Sequence, residues 1–213
     1  MLHVYCTNDP MFAQNGRVIH TDGSPDCAII DPGLPPIAEN AIAYITENDL
    51  SPVMLVLTHA HADHFAGLDS LRAAFPDAAV YLGKEEHPFL TDAKMNLSVG
   101  IGLPHTASGE RILDLAEGAV LRIGTTEWLV LDTSGHSPGG RSIYCAEENT
   151  VIVGDALFAG SIGRTDFPHS DHKRLIRNLT ENLLTLPDQT RVLCGHGPDT
   201  TIGVERGTNP YLT

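Results

Sequence analysis

Positive charge is scarce in this chain. Lys and Arg number 13 against 27 Asp and Glu, a formal charge of -14. That imbalance excludes the basic stripe that a nucleic-acid backbone requires, although a locally basic cleft can still take an anion. Long apolar runs are missing too: none has the roughly 20 residues of a membrane-spanning helix. The N-terminal MLHVYCTNDP has no basic stretch followed by an apolar core, so no secretory signal is expected. A cytoplasmic protein that binds neither nucleic acid nor membrane is the resulting expectation. Cysteine is sparse. Cys6, Cys27, Cys145 and Cys194 are scattered, without the paired spacing of a structural zinc site. Three of them lie in apolar, strand-like text, so buried thiols are expected.

What is present supports one substantial core. The chain has 213 residues, 42% of them hydrophobic, and residues 1–213 read as a single domain. Short apolar runs at 27–31, 53–58, 79–83, 119–124, 127–133, 142–146, 151–155 and 191–195 predict strands. The run 53–58 is almost continuously apolar, as in a strand buried on both faces. Residues 36–48, 64–75 and 171–186 predict helices. Phe65, Leu68, Leu71 and Phe75 share a face in the second, and Leu175, Leu179 and Leu183 in the third. Residues 84–110 read as a long surface loop, a length that is often functional in a compact domain, and one able to wall a pocket. Two sheet-containing halves with helices outside fit an α/β four-layer αββα sandwich better than a doubly wound sheet.

The densest chemistry is THAHADH at 58–64, with His59, His61, Asp63 and His64 between the end of a strand and the start of a helix. Imidazole and carboxylate together suit zinc or iron. Three remote candidates follow, each after an apolar run: His136 in TSGHSPGG, Asp155 at the end of VIVGD, and His196 in CGHGP. Taken singly, each is equally readable as a polar turn or capping residue. Seven potential ligands together suit a two-metal site.

That combined order resembles the metallo-β-lactamase superfamily over nearly the whole chain. The resemblance implies that His59, His61 and His136 bind a first metal, that Asp63, His64 and His196 bind a second, and that Asp155 bridges them. It further implies two divalent ions, zinc first, with iron or manganese compatible with the same donors. A metal-bridging hydroxide would then attack a carbonyl, with Asp63 orienting it and Asp63 and Asp155 as the catalytic carboxylates.

Within the superfamily, GDALFAGSIGRTDFP (154–168), FLTDAKMNLS (89–98), CGHGPDTTIG (194–203) and ERGTNPYL (205–212) look like the compact bacterial glyoxalase II-like group. The resemblance implies a hydroxyacylglutathione hydrolase or related thioesterase acting on S-lactoylglutathione or another small-molecule S-acyl thiol. Larger members carry a C-terminal helical region that contacts glutathione; only about ten residues follow Val204 here. Arg164 is the candidate substrate-binding residue, pairing with a carboxylate; the alternative is that Arg164 and Asp166 brace each other. Lys84, Lys94, Lys173 and Arg206 are further cations that can serve the missing thiol contacts or solubility alone. Tyr5, Phe12, Phe89 and Phe167 read equally as pocket walls or core. His87, His105, His169 and His172 read as ordinary polar loop or helix-start residues. Two other readings stay open: a glutathione persulfide dioxygenase using one iron on His59, His136 and Asp155, with which GRTDF is also compatible, and a non-catalytic metal-binding scaffold. The sequence assigns no oligomeric state.

Overall fold

The structure is a computed structural model that describes residues 1–212. Its first sheet keeps sequence order: β1 (Leu2–Asn8), β2 (Asn15–Thr21), β3 (Asp26–Ile30), β4 (Ser51–Val56), β5 (Ala79–Leu82) and β6 (Ile112–Asp114). The first three strands pair antiparallel and the last four parallel. Helices α1 (Ile37–Glu47), α2 (Ala62–Phe65) and α3 (Leu68–Ala74) belong to this half. The second half supplies β7 (Val120–Ile123), β8 (Thr126–Asp132), β9 (Arg141–Cys145) and β10 (Thr150–Gly154). A small hairpin follows, β11 (Leu157–Phe158) with β12 (Ser161–Ile162). Next come α4 (His172–Asn178), β13 (Arg191–Cys194), β14 (Thr200–Thr201) and α5 (Ile202–Thr208). The second sheet runs β14-β13-β10-β9-β8-β7.

Strand alternation sorts side chains into three apolar layers. On β3 and β4, Cys27, Ile29 and Leu55 face α1 and α3, where they meet Ala41, Ile45, Leu68 and Leu71. Ala28, Ile30, Met54 and Val56 face the other way, onto Trp128, Val130, Ile143 and Ile152 of the second sheet. Val151, Val153, Val192 and Cys194 then face Leu175, Leu179 and Leu183. Helix, sheet, sheet, helix is thus the observed order, the expected αββα sandwich. Both central strands, β4 and β10, are buried on two sides, which is why they read as unbroken apolar runs.

Several boundaries differ from the sequence reading. The helix expected over 64–75 is broken into α2 and α3. At the break the Gly67 N–H donates to the Pro32 carbonyl at 2.6 Å instead of continuing a helical ladder. A side chain there would press on Ala38 of α1, 2.7 Å from the Cβ position. The helix expected over 171–186 is regular only in α4, capped by the Asp171 side chain, and continues as a wider π-type turn over Leu179–Leu183. The loop expected over 84–110 contains a 3-10 helix, Lys84–Thr91, whose Phe89 and Leu90 enter the first core. The strands β1 and β2 were not expected, because β2 buries Asn15, Arg17 and Thr21, residues that read as surface text. Cys27, Cys145 and Cys194 are buried as expected, and burial pushes the Cys27 and Cys194 thiols up to about 12. Cys6 is exposed, because β1 lies at the sheet edge. Among the described residues no helix is long and apolar enough to cross a membrane.

Candidate metal centre

All seven candidate ligands meet at one end of the sandwich. They leave the sheets at strand ends: His59, His61, Asp63 and His64 after β4, His136 after β8, Asp155 after β10 and His196 after β13. Loops beyond strand ends have the conformational freedom such a site needs. Glycine permits the crowding: a Cβ at Gly154, whose φ is +52°, would overlap the Thr58 side chain, and one at Gly195 the Asp155 carboxylate.

The histidine rings are oriented from behind. His136 Nδ1 donates to the Arg164 carbonyl at 2.8 Å and His196 Nδ1 to the Phe12 carbonyl at 2.9 Å. His64 Nδ1 donates to Asp31 Oδ2 at 3.0 Å. The Thr58 hydroxyl gives its proton to Asp31 Oδ2 at 2.7 Å, which leaves its oxygen to accept from His59 Nδ1 at 3.2 Å. These partners orient the rings so that each Nε2 turns inward. His61 is reversed and presents Nδ1, which lies 3.0 Å from both His59 Nε2 and His136 Nε2.

Three overlapping groups result: His59, His61 and His136; His59, His64 and Asp155; and Asp63, His64 and His196. His64 Nε2 and His196 Nε2 are 3.1 Å apart. Asp155 lies between the groups, its Oδ2 3.7 Å from His136 Nε2 and 3.4 Å from His196 Nε2. Its Oδ1 is buried and lies 3.2 Å from His64 Nε2. Tetrahedral nitrogens about 2.0–2.1 Å from a zinc ion stand roughly 3.3 Å from one another, close to the spacing of these imidazoles. Inward ring nitrogens at that spacing, around a buried carboxylate, fit a divalent cation.

Electrostatics separates the two ends of the cluster. Burial, reinforced by neighbouring imidazoles, holds His59 well below the usual histidine range and takes His61 down to about 3. That end is a set of neutral donors. Burial also opposes charge on His64 and His196, yet Asp155 and Asp63 overcome it, holding the His64 proton well above the usual range and raising His196 to about 10. Asp155 is buried but is kept far below the ordinary carboxylate range by His64 and His196. Protons thus occupy the acidic end where a cation would otherwise sit, and metal binding there displaces them.

Two buried carboxylates escaped the sequence reading. Asp31, expected only as part of a DPG turn, has left-handed backbone (φ 48°) and accepts from the Thr58 N–H at 2.7 Å as well as from Thr58 and His64. Glu86 accepts from the Ala60 N–H at 3.0 Å and the Gly139 N–H at 2.9 Å, tying the His59–His61 loop to the loop that carries His136. Their signal in the sequence is weak, because their partners are distant backbone groups. Replacing Asp31 with Ala leaves three buried donors unpaired and is expected to weaken metal binding about 10- to 100-fold. Competition against a chromophoric chelator measures this; unchanged affinity would mean that Asp31 only shapes the turn.

A cavity of about 680 Å³ opens onto the cluster. Phe12 and Phe167 line it, as one reading of the sequence allowed, together with the unanticipated Phe158. Residues from the expected pocket loop also line it, among them Lys94, Leu97, Val99 and Ile101. Tyr5 instead stacks on Tyr44, and Phe89 is core. His87 and His105 lie outside the cavity lining. Arg164 reaches the cavity, but its guanidinium forms a two-point pair with Asp166 at 3.0 and 2.8 Å and lies 4.4 Å over the Phe167 ring. The mutual brace of Arg164 and Asp166, left open by the sequence, is therefore present.

The family model described as metallo-beta-lactamase superfamily matches residues 18–196. The chain is 42% identical over 187 residues to a probable metallo-hydrolase, YqgX, of Bacillus subtilis, spanning 87% of both proteins. It is 36% identical over 203 residues to the hydroxyacylglutathione hydrolase GloC of Haemophilus influenzae, spanning 94% of this chain and 93% of that one. Among solved structures, the BLEG-1 B3 metallo-beta-lactamase superposes over the full length of both chains with a TM-score of 0.89 and 38% identity. With that fold and seven donors gathered at the strand ends, the chain belongs to the metallo-beta-lactamase superfamily.

Proposed function

We propose that this protein is a two-metal thioester hydrolase that cleaves S-lactoylglutathione or a related S-acyl thiol. The observation that carries the reading is the placement of Asp155 between the two histidine groups on the floor of an open cavity. The likeness to GloC supports the choice of a thioester. His59, His61 and His136 would hold one ion, Asp63, His64 and His196 the other, and Asp155 would touch both. Bound there, divalent ions polarise a carbonyl and lower the proton affinity of water.

The chain's own groups do the rest. The backbone carbonyls of Phe12 and Arg164 accept from Nδ1 of His196 and His136 and so hold both rings with Nε2 turned toward the cluster. Burial opposes ionisation of Asp63, but His64 and His196 hold its carboxyl below the ordinary range, so it stays ionised and can accept a hydrogen bond from water at the cavity floor. Phe12, Phe158 and Phe167 exclude bulk water from the walls, which strengthens electrostatic interactions within.

The test is thiol release from S-D-lactoylglutathione by metal-loaded protein, with a chelated sample beside it. Metal-dependent release is expected. Oxygen uptake with glutathione persulfide, without thiol release, would move the protein to the persulfide dioxygenase reading. Stable metal binding with neither reaction would make it a scaffold.

A further inference from the structure

The wall contributed by residues 94–103 does not match a small polar acyl group. Leu97, Val99 and Ile101 line the same cavity as the metal-binding cluster, and Val99 and Ile101 are 46% and 41% exposed. Phe12 and Phe158 add aromatic surface to the same space. Apolar side chains gathered beside a reactive centre and left in water gain free energy when a ligand covers them.

This wall is built rather than loose. At its base Asn96 is fully buried and its Nδ2 donates to the Phe89 and His105 carbonyls at 3.0 and 2.9 Å. The buried Ser98 accepts from the His105 N–H at 2.9 Å. The Asn96 carbonyl accepts from the Ala62 N–H at 3.0 Å, joining the wall directly to the loop that carries His61 and Asp63. The wall is thus held in register with the metal-binding side chains before substrate arrives, and its apolar surface need not be ordered on binding.

A lactoyl group is short and carries a hydroxyl, so it leaves this wall wet. Glutathione is polar and carries two carboxylates, and it cannot cover the wall either. Of the cations in the lining, Arg164 is already paired with Asp166, and Lys94, at one end of the wall, can hold a glutathione carboxylate without covering the apolar residues. On a polar thiol, the apolar part must therefore be the acyl group. Building on the thioesterase reading, we infer that the site selects thioesters with an apolar acyl group, an aliphatic chain of several carbons or an aryl ring, over lactoyl thioesters.

Inert thioethers test the pocket without turnover: S-methyl-, S-butyl- and S-hexylglutathione place an alkyl chain where the acyl group would lie. Titration calorimetry should show affinity rising along the series. Each fully buried methylene gives about a fourfold gain, so S-hexyl should bind about 30-fold tighter than S-methyl if half of that gain is realised. The double variant Val99→Ser, Ile101→Ser should reduce the ratio by about tenfold. In turnover, S-hexanoylglutathione should exceed S-lactoylglutathione in kcat/KM by at least about tenfold. Equal affinities along the thioether series, an unchanged ratio in the double variant, or a preference for lactoyl would each overturn the inference. If the thioethers show the gain but no thioester is cleaved, the hydrolase reading fails while the apolar pocket stands. Cleavage of S-lactoylglutathione with a flat thioether series gives the reverse.

Discussion

Asp155→Asn is expected to lower kcat/KM for thioester cleavage by about 10³-fold, the effect of losing one ion's share of several kcal/mol of charge stabilisation. Asparagine keeps the size and one oxygen of aspartate. It loses the charge and turns an amide donor toward either His136 or His196, whose inward nitrogens lie 3.7 and 3.4 Å from Asp155 Oδ2. On the two-metal reading, one of the two flanking sites would then do without its shared ligand. Metal analysis of the purified variant should therefore show fewer ions per chain, and circular dichroism should show the fold retained. Near-normal turnover with a full metal complement would show that Asp155 is not shared, and would remove the basis of the two-metal assignment.

Trp128→Ala acts at the other extreme, on the fold and not on the chemistry. Trp128 is completely buried between the sheets, packed among Ile30, Val130 and Ile143, with its Nε1 donating to Thr126 Oγ1 at 2.9 Å. Truncation leaves a cavity bounded by two sheets that cannot easily collapse, at a cost of about 3–5 kcal/mol. That is a large fraction of the roughly 5–15 kcal/mol by which a domain is stable. Urea denaturation followed by circular dichroism should show a midpoint lowered accordingly. Trp128→Phe, which retains most of the volume, should recover much of the loss. A loss below about 1 kcal/mol for the alanine variant would mean that the sheets repack around the gap.

The central strands and the clustered histidines and aspartates were legible in the sequence for the same reason. β4, β10 and β13 are buried on both faces, so each appears as an apolar run, and every candidate ligand except His136, which follows the half-exposed β8, stands where such a run stops. What was illegible has polar residues inside. β2 carries Arg17, whose guanidinium reaches the Cys194 carbonyl at 2.8 Å and Asp199 at 2.7 Å across the molecule, so a buried strand reads as surface. Asp31 and Glu86 are hidden in the same way, because their worth depends on donors at Thr58, Ala60 and Gly139 that sequence neighbours do not announce. The split between α2 and α3 arises from a third source, the close approach of Gly67 to α1, a tertiary constraint that helical periodicity does not register.

The donors come from both sheets: four follow β4 of the first, and His136, Asp155 and His196 follow strands of the second. A cation held among them is therefore a rivet through the open end of the sandwich as well as a reagent. By linkage, every gain in metal affinity becomes a gain in cohesion between the halves, growing as RT ln(1 + [M]/Kd) with free metal concentration. The same reasoning makes metal starvation a structural event for this protein: as ions are lost, protons on His64 and His196 become the remaining countercharge for Asp63 and Asp155, and the sheets lose a fastening that their apolar contacts alone must replace.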